Sequence, residues 1–228
     1  MTRSIRALAA AATLLALVPA TAHADEDGQA WGAAVAQGTV RGDLFVWLEG
    51  QARLTEDFGG GSQVILRPAI GARIAPDAHV LAGYAYIRTE GSNGTVTREH
   101  RPWQQVQFAA LRDGRGRPLV LSRSRLEQRM IEGRGETGWR LRQMVRGQVP
   151  IAQGGAVQAV VISEGFFNLN DTNWGMRSGV DQWRNFVGIG LPVAERVRVE
   201  PGYLNQRIFR PGEDRTNHVL SATLFYRL

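Results

Sequence analysis

Hydrophobic and polar residues alternate along most of this chain with a period of two, in segments of about 9 to 14 residues. Successive side chains of a strand point to opposite faces, so each segment reads as a β-strand with one apolar and one polar face. The pattern predicts strands near 29–37, 44–55, 63–74, 79–88, 98–111, 118–130, 138–149, 157–168, 182–191, 197–207 and 218–228. Between them lie clusters rich in Gly, Pro, Asp and Asn, and no segment after residue 24 carries a helical stripe. This is the rhythm of an all-β sandwich or barrel.

Strand length separates the two. Strands of soluble sandwiches run to roughly 5 or 6 residues, whereas those crossing a bilayer need about 9 to 11. The segments here are of the longer kind. Their connections also alternate: short at 75–78, 113–117, 151–156 and 192–196, longer at 89–96, 169–181 and 209–217. Short turns on one side and longer loops on the other are the habit of outer-membrane barrels. The expected fold is therefore an antiparallel up-and-down transmembrane β-barrel of about 10–12 strands.

The segment LSRSRLEQRM (121–130) shows what such a barrel must do with charge. Arg123, Arg125, Glu127 and Arg129 share one face, opposite Val120, Leu126 and Met130. Arg140, Arg142, Arg146 and Gln148 likewise oppose Trp139, Leu141, Val145 and Val149, while Glu49, Gln51 and Arg53 oppose Val46, Leu48 and Leu54. An arginine facing lipid at mid-membrane costs about 2–4 kcal/mol, so these rows must face the lumen. With Glu164, Arg184, Arg198 and Glu200 they form the expected lumen charge network, in which arginine exceeds acid. It reads either as ion pairs filling a narrow, plugged barrel or as an electropositive path for small anions.

The ends of the chain fit an envelope protein. Arg3 and Arg6 precede an apolar run from Ala7 to Val18, then Pro19 and the small-x-small site Ala22-His23-Ala24. This predicts a secretory signal peptide over 1–24, leaving a single barrel domain over 25–228. The last segment, HVLSATLFYRL, places Leu220, Ala222, Leu224, Tyr226 and Leu228 on one face. An amphipathic terminal strand resembles the signal that outer-membrane barrels offer to the barrel assembly machinery, which usually ends in Phe rather than Leu.

Composition narrows the rest. There are no cysteines, so an exported chain must be held by its core or by a closed hydrogen-bonded sheet. All 27 basic residues are arginine, for which codon bias is the plainer cause and a preference for paired, semi-buried charge the physical alternative. The formal charge of +6 points to no nucleic-acid partner in an exported protein. The expected partners are outer-membrane lipid and small anions; the chain is taken as a monomer, with no cofactor and no metal. Asp171 and Asp181 in the long loop are the acids placed to meet a cation, although solvated loop acids are the plainer reading.

Two other functions compete. A membrane-embedded lipid hydrolase or acyltransferase would want a base and a nucleophile within reach. His100 and His218 lie near the long-loop rim on apolar-parity positions, His79 at a turn, and no serine is evidently paired with them. A soluble periplasmic ligand-binding β-barrel would use the same strands. Some features strain the barrel reading. Pro68 and Pro201 fall inside strands, where bulges would accommodate them. The odd strand leaves 29–37 as a partial strand, half of a missed pair or a luminal segment. Tyr84, Tyr86, Trp103, Trp139, Trp183, Tyr203 and Tyr226 read as an interfacial girdle.

Four stretches carry a resemblance: YAYIRTEGSNG with REHRPWQQ (84–105), LSRSRLEQR (121–129), ISEGFFNLN (162–170) and HVLSATLFYRL. Together they resemble the bacterial domain of unknown function 2490 family, whose members are exported and similar to outer-membrane barrels. The resemblance implies a Gram-negative outer-membrane location and a barrel fold, and brings no activity, ligand or catalytic residue with it.

Overall fold

The structure is a computed structural model describing residues 25–152 and 156–228; the leader expected over 1–24 lies outside the described residues. Eleven strands follow one another: β1 (Asp25–Arg41), β2 (Leu44–Thr55), β3 (Gly61–Ala75), β4 (Ala78–Glu90), β5 (Val96–Arg112), β6 (Pro118–Ile131), β7 (Gly138–Pro150), β8 (Gln158–Asn168), β9 (Gly179–Ala194), β10 (Val197–Ile208) and β11 (Arg215–Arg227). Each pairs with its sequence neighbours, and β1 pairs with β11 to close the barrel. The strands are 11 to 17 residues long.

The closure differs from a purely antiparallel barrel. In an up-and-down sheet of odd number the first and last strands run the same way, so the β1–β11 pair is parallel, from Asp25↔Arg215 to Gln37↔Arg227. Residues 29–37 are therefore neither a partial strand nor a luminal segment, but the middle of a full strand that completes the wall. Their composition hides this, because DEDGQAWGAAVAQGTVR is rich in Gly and Ala and carries little apolar contrast.

The two prolines are accommodated without the expected bulges. Pro68 keeps its place opposite Leu48, and the β3–β4 register is the same on either side of it, at Leu66↔Tyr86 and Ala69↔Gly83. Pro201 pairs with Ala222 on one side, while on the other the ladder skips from Val199↔Leu191 to Gly202↔Gly188 without a shift. Each proline loses its ladder bond toward one neighbour and inserts no extra residue. Register shifts occur instead mainly near the short turns, at Thr39/Arg41, Arg73/Ala75 and Ala109/Leu111.

The long-loop end carries one strained connection. Between β2 and β3, Glu56, Asp57 and Phe58 all have positive φ, at 54°, 55° and 65°, within the short helical turn α1 (Glu56–Gly59). Three such non-glycine residues cost of order 1–3 kcal/mol each and persist only when their surroundings hold them. Asp27 does so from β1, its carboxylate accepting the backbone N–H groups of Asp57 at 2.8 Å and Glu56 at 3.4 Å.

The parallel seam is directly testable, since the chain has no cysteine of its own. Ala30 faces Leu220 and Ala34 faces Leu224. Cysteine pairs at 30/220 and 34/224 are expected to form disulfides in the folded protein. A 30/224 pair, offset by roughly 13 Å along the strand, is expected to stay reduced. Crosslinking of the 30/224 pair alone would mean a different closure.

Candidate functional site

The period of two sorts side chains into two opposite environments. Positions such as Leu48, Leu66, Ile70, Val187 and Leu220 point outward and are 50 to 65 % exposed, while Arg125 and Glu127 point inward and are each 1 % exposed. The interior is itself divided. Along β1–β5 the inner face carries an apolar cluster of Val35, Phe45, Trp47, Ile65, Ala85, Ile87 and Trp103, interspersed with buried polar groups such as Glu49, Arg67 and Glu99. Along β5–β8 it is charged. Beside these walls runs a cavity of about 1300 Å³, lined from the long-loop rim (Thr55, Thr97, Asn217) to the turn rim (His79, Pro118, Leu228).

Glu127 and Arg142 are the centre of the charged wall. Glu127 on β6 accepts from Arg140 at 2.7 Å and from Arg142 at 2.7 Å, and Arg101 approaches to 3.7 Å. Arg142 then reaches onward, donating Nε and Nη2 to the two oxygens of Glu164 at 3.0 and 3.1 Å. Glu164 also takes Arg123 at 2.7 Å. Arg129 and Arg101 share Glu99, both at 2.6 Å. Arg146 holds Glu200 through two bonds of 2.8 and 2.5 Å, linking β7 to β10 across two intervening strands. On the other side Arg67 donates to Glu49 at 2.6 Å, and Trp47 Nε1 donates to the same carboxylate at 3.1 Å. Planar guanidinium forks suit this arrangement because each can bridge two carboxylates in fixed geometry.

Arg125 is buried differently. Its Nε and Nη2 both donate to the amide oxygen of Gln105, at 2.8 and 2.6 Å, and its guanidinium lies 4.2 Å from the Trp103 ring. Trp103 is therefore no part of a girdle: it is fully buried inside the barrel. Its parity with Glu99, Arg101 and Gln105 is the signal that places it inward. Tyr84, Trp139, Trp183, Tyr203 and Tyr226 are exposed on the outer face.

Arg198 bonds to Gln158, and Arg53 and Arg184 lie in the cavity wall among glutamines. Sequence reasoning missed Arg67, Glu99, Arg101, Asp27 and Arg215. Charges occupy both parities in REHR (98–101), which blurs the alternation there. Arg67 stands beside Pro68, where a bulge would have reversed its side. Asp27 and Arg215 meet at 2.6 Å across the seam, a contact no local pattern could reveal.

The rim histidines meet tyrosines. His100 Nδ1 bonds the Tyr84 hydroxyl, and its Nε2 lies 3.1 Å from Glu132. His218 Nδ1 lies 2.6 Å from the Tyr203 hydroxyl. Neither meets a serine among the described residues. Asp171 and Asp181 do not converge: Asp181 accepts from Arg140 at 3.3 Å and Asn168 at 3.2 Å, while Asp171 accepts the Ser178 N–H at 2.6 Å. The loop between β8 and β9 folds toward the mouth, where Met176 is buried and the Trp174 ring lies 5.4 Å from Arg129.

A closed sheet with an apolar exterior and an ion-paired interior defines a charged-lumen β-barrel. Residues 28–217 match the family described as "Protein of unknown function (DUF2490)", and the chain belongs to that family. It is also 36% identical, over the full length of both chains, to an uncharacterized protein of Methylorubrum extorquens. No solved structure matches it.

Replacing Glu127 by Gln removes the charge that several buried arginines share. Breaking a buried pair from one side costs about 3–5 kcal/mol. Urea unfolding is expected to show a loss of that order, and an unchanged midpoint would contradict the central role of Glu127. The loop offers a pH test. The Ser178 N–H bond holds the Asp171 carboxyl below its ordinary value of 3.8. A carboxyl depressed on folding contributes stability above its unfolded value and loses it as pH falls through the folded one. Hydrogen exchange at the Ser178 amide is therefore expected to stay slow down to about pH 4 and to accelerate, relative to its intrinsic rate, only below that.

Proposed function

We propose that this protein is an outer-membrane β-barrel of the Gram-negative envelope whose electropositive lumen passes or holds small anions. The observation that carries the reading is the inversion of polarity across the wall. Outward side chains such as Leu220 and Ile70 are 65 and 58 % exposed, while arginines and glutamates are sealed inside. Lipid is the solvent in which such an exterior costs nothing, and a closed sheet has no open edge of unpaired backbone groups to expose to it. In water the same band would be an aggregation surface far larger than a soluble monomer tolerates. The partners that follow are outer-membrane lipid and, through β11, the assembly machinery. An excess of arginine over carboxylate in the lumen, beside a cavity lined from rim to rim, favours anions over cations.

The reading is tested on the full chain expressed with its own leader. Density fractionation is expected to place it with the outer membrane. Protein extracted from that fraction and inserted in a planar bilayer is expected to give stepwise conductance with an anion-shifted reversal potential. Recovery as a soluble periplasmic monomer would overturn the location. Silence from protein shown to be inserted would overturn passage and leave a plugged barrel.

A further inference from the structure

The ion-pair network leaves Arg53, Arg184 and Arg198 out, and the first two lie together. Arg53 on β2 and Arg184 on β9 make no salt bridge among the described residues; Glu164 stands opposite Arg184 in the β8–β9 ladder without pairing with it, its oxygens being held by Arg142 and Arg123. Arg53 donates Nε and Nη2 to the Gln51 oxygen at 3.1 and 2.6 Å and Nη1 to Gln63 at 2.9 Å. Arg184 donates to Gln182 at 3.1 Å, and the Gln206 amide, turned to suit its neighbours, accepts from it at 3.0 and 3.2 Å. Both guanidiniums converge on one indole: their central carbons lie 3.8 Å (Arg53) and 5.0 Å (Arg184) from the ring centroid of Trp31 on β1. Phe166 supports Arg184 from another side at 4.5 Å. Trp31, Arg53 and Arg184 all line the cavity.

This arrangement is unfavourable as it stands. Amide oxygens and ring faces satisfy guanidinium donors and soften their charge, but they bring no negative charge. Elsewhere in the same lumen every cluster of arginines is built around a carboxylate, as at Glu99, Glu127 and Glu164. Both guanidiniums lie against the same indole and border the same cavity, from which a tetrahedral oxyanion can accept charge-assisted bonds from more than one fork.

We propose that Trp31, Arg53 and Arg184, framed by Gln51, Gln63, Gln182 and Gln206, form a binding site for a soluble phosphate-class oxyanion. The inference rests on the reading of the lumen as electropositive, and names the anion class it takes. The sheet separates the site from lipid headgroups, so the ligand arrives through the aqueous cavity. One dianion would neutralise both guanidiniums, whereas a monoanion such as acetate would neutralise one.

The test is equilibrium binding to the folded full chain in detergent, which needs no conductance. Titration calorimetry with inorganic phosphate is expected to show one saturable site, at least tenfold tighter than for acetate. Arg53→Gln and Arg184→Gln are each expected to weaken phosphate binding by tenfold or more. Arg198→Gln, which removes an equal lumen charge outside the site, is expected to change it by less than threefold. Without added anion, both site variants are expected to melt at or above the temperature of the unaltered protein, because each relieves a like-charge contact. Absence of saturable binding, an equal loss with Arg198→Gln, or destabilisation by both site variants would overturn the site. Binding without bilayer conductance would instead overturn passage and leave the site standing. Anion-selective conductance unaffected by phosphate and by either variant would do the reverse.

Discussion

Closure of the sheet through one parallel pair is the constraint on which the other features depend. With no cysteine to form a disulfide and no helix covering an edge among the described residues, the strands must hydrogen-bond all the way round, and an odd number of them makes β1 and β11 run together. The seam is reinforced at the long-loop end. Asp27 binds Arg215 across it and holds the left-handed turn at 56–58 with its backbone bonds. One carboxylate thus ties the first strand to the last and to the connection after the second.

Closure also creates the inside. Once the barrel exists, every second residue is forced into a narrow space, and the chain fills that space in two ways. On β1–β5 it uses aromatic and aliphatic packing around Trp47 and Trp103. On β5–β8 it uses guanidinium and carboxylate groups joined through Glu127, Arg142 and Glu164. A buried charge is tolerable only when paired and hydrogen-bonded, so the second solution demands a network rather than isolated pairs. Trp103 under Arg125 and Glu49 beside Trp47 are where the two solutions meet. Space remains beside them, and members of both solutions, such as Phe45, Trp47, Arg123 and Glu164, line the cavity.

The alternation of polarity along each strand was enough to read the all-β class, the near-complete set of strands and the side on which Arg123, Arg125, Glu127, Arg140, Arg142 and Arg146 fall. That is because the strand period is local and survives any arrangement of neighbours. The same rule assigns Trp103 inward, but grouping it with the outer aromatics by residue type overrode its parity. Chemistry at the rim was less legible, since the pairing of His100 with Tyr84 and Glu132 joins two strands and the connection after β6.

What the sequence by itself determined is therefore the face each residue occupies; which faces meet was decided by tertiary structure alone. Ion pairs such as Arg146–Glu200 and Arg215–Asp27 bring together residues far apart in the chain, and their existence follows from strand order, register and closure. The charge imbalance has the same origin. Arg53 and Arg184 belong to rows that look alike in sequence, yet the closed sheet sets them against one tryptophan and bonds them to glutamines, while Arg142 is bonded to two glutamates. Partners across a barrel are chosen by its circumference, and a period of two carries no information about that.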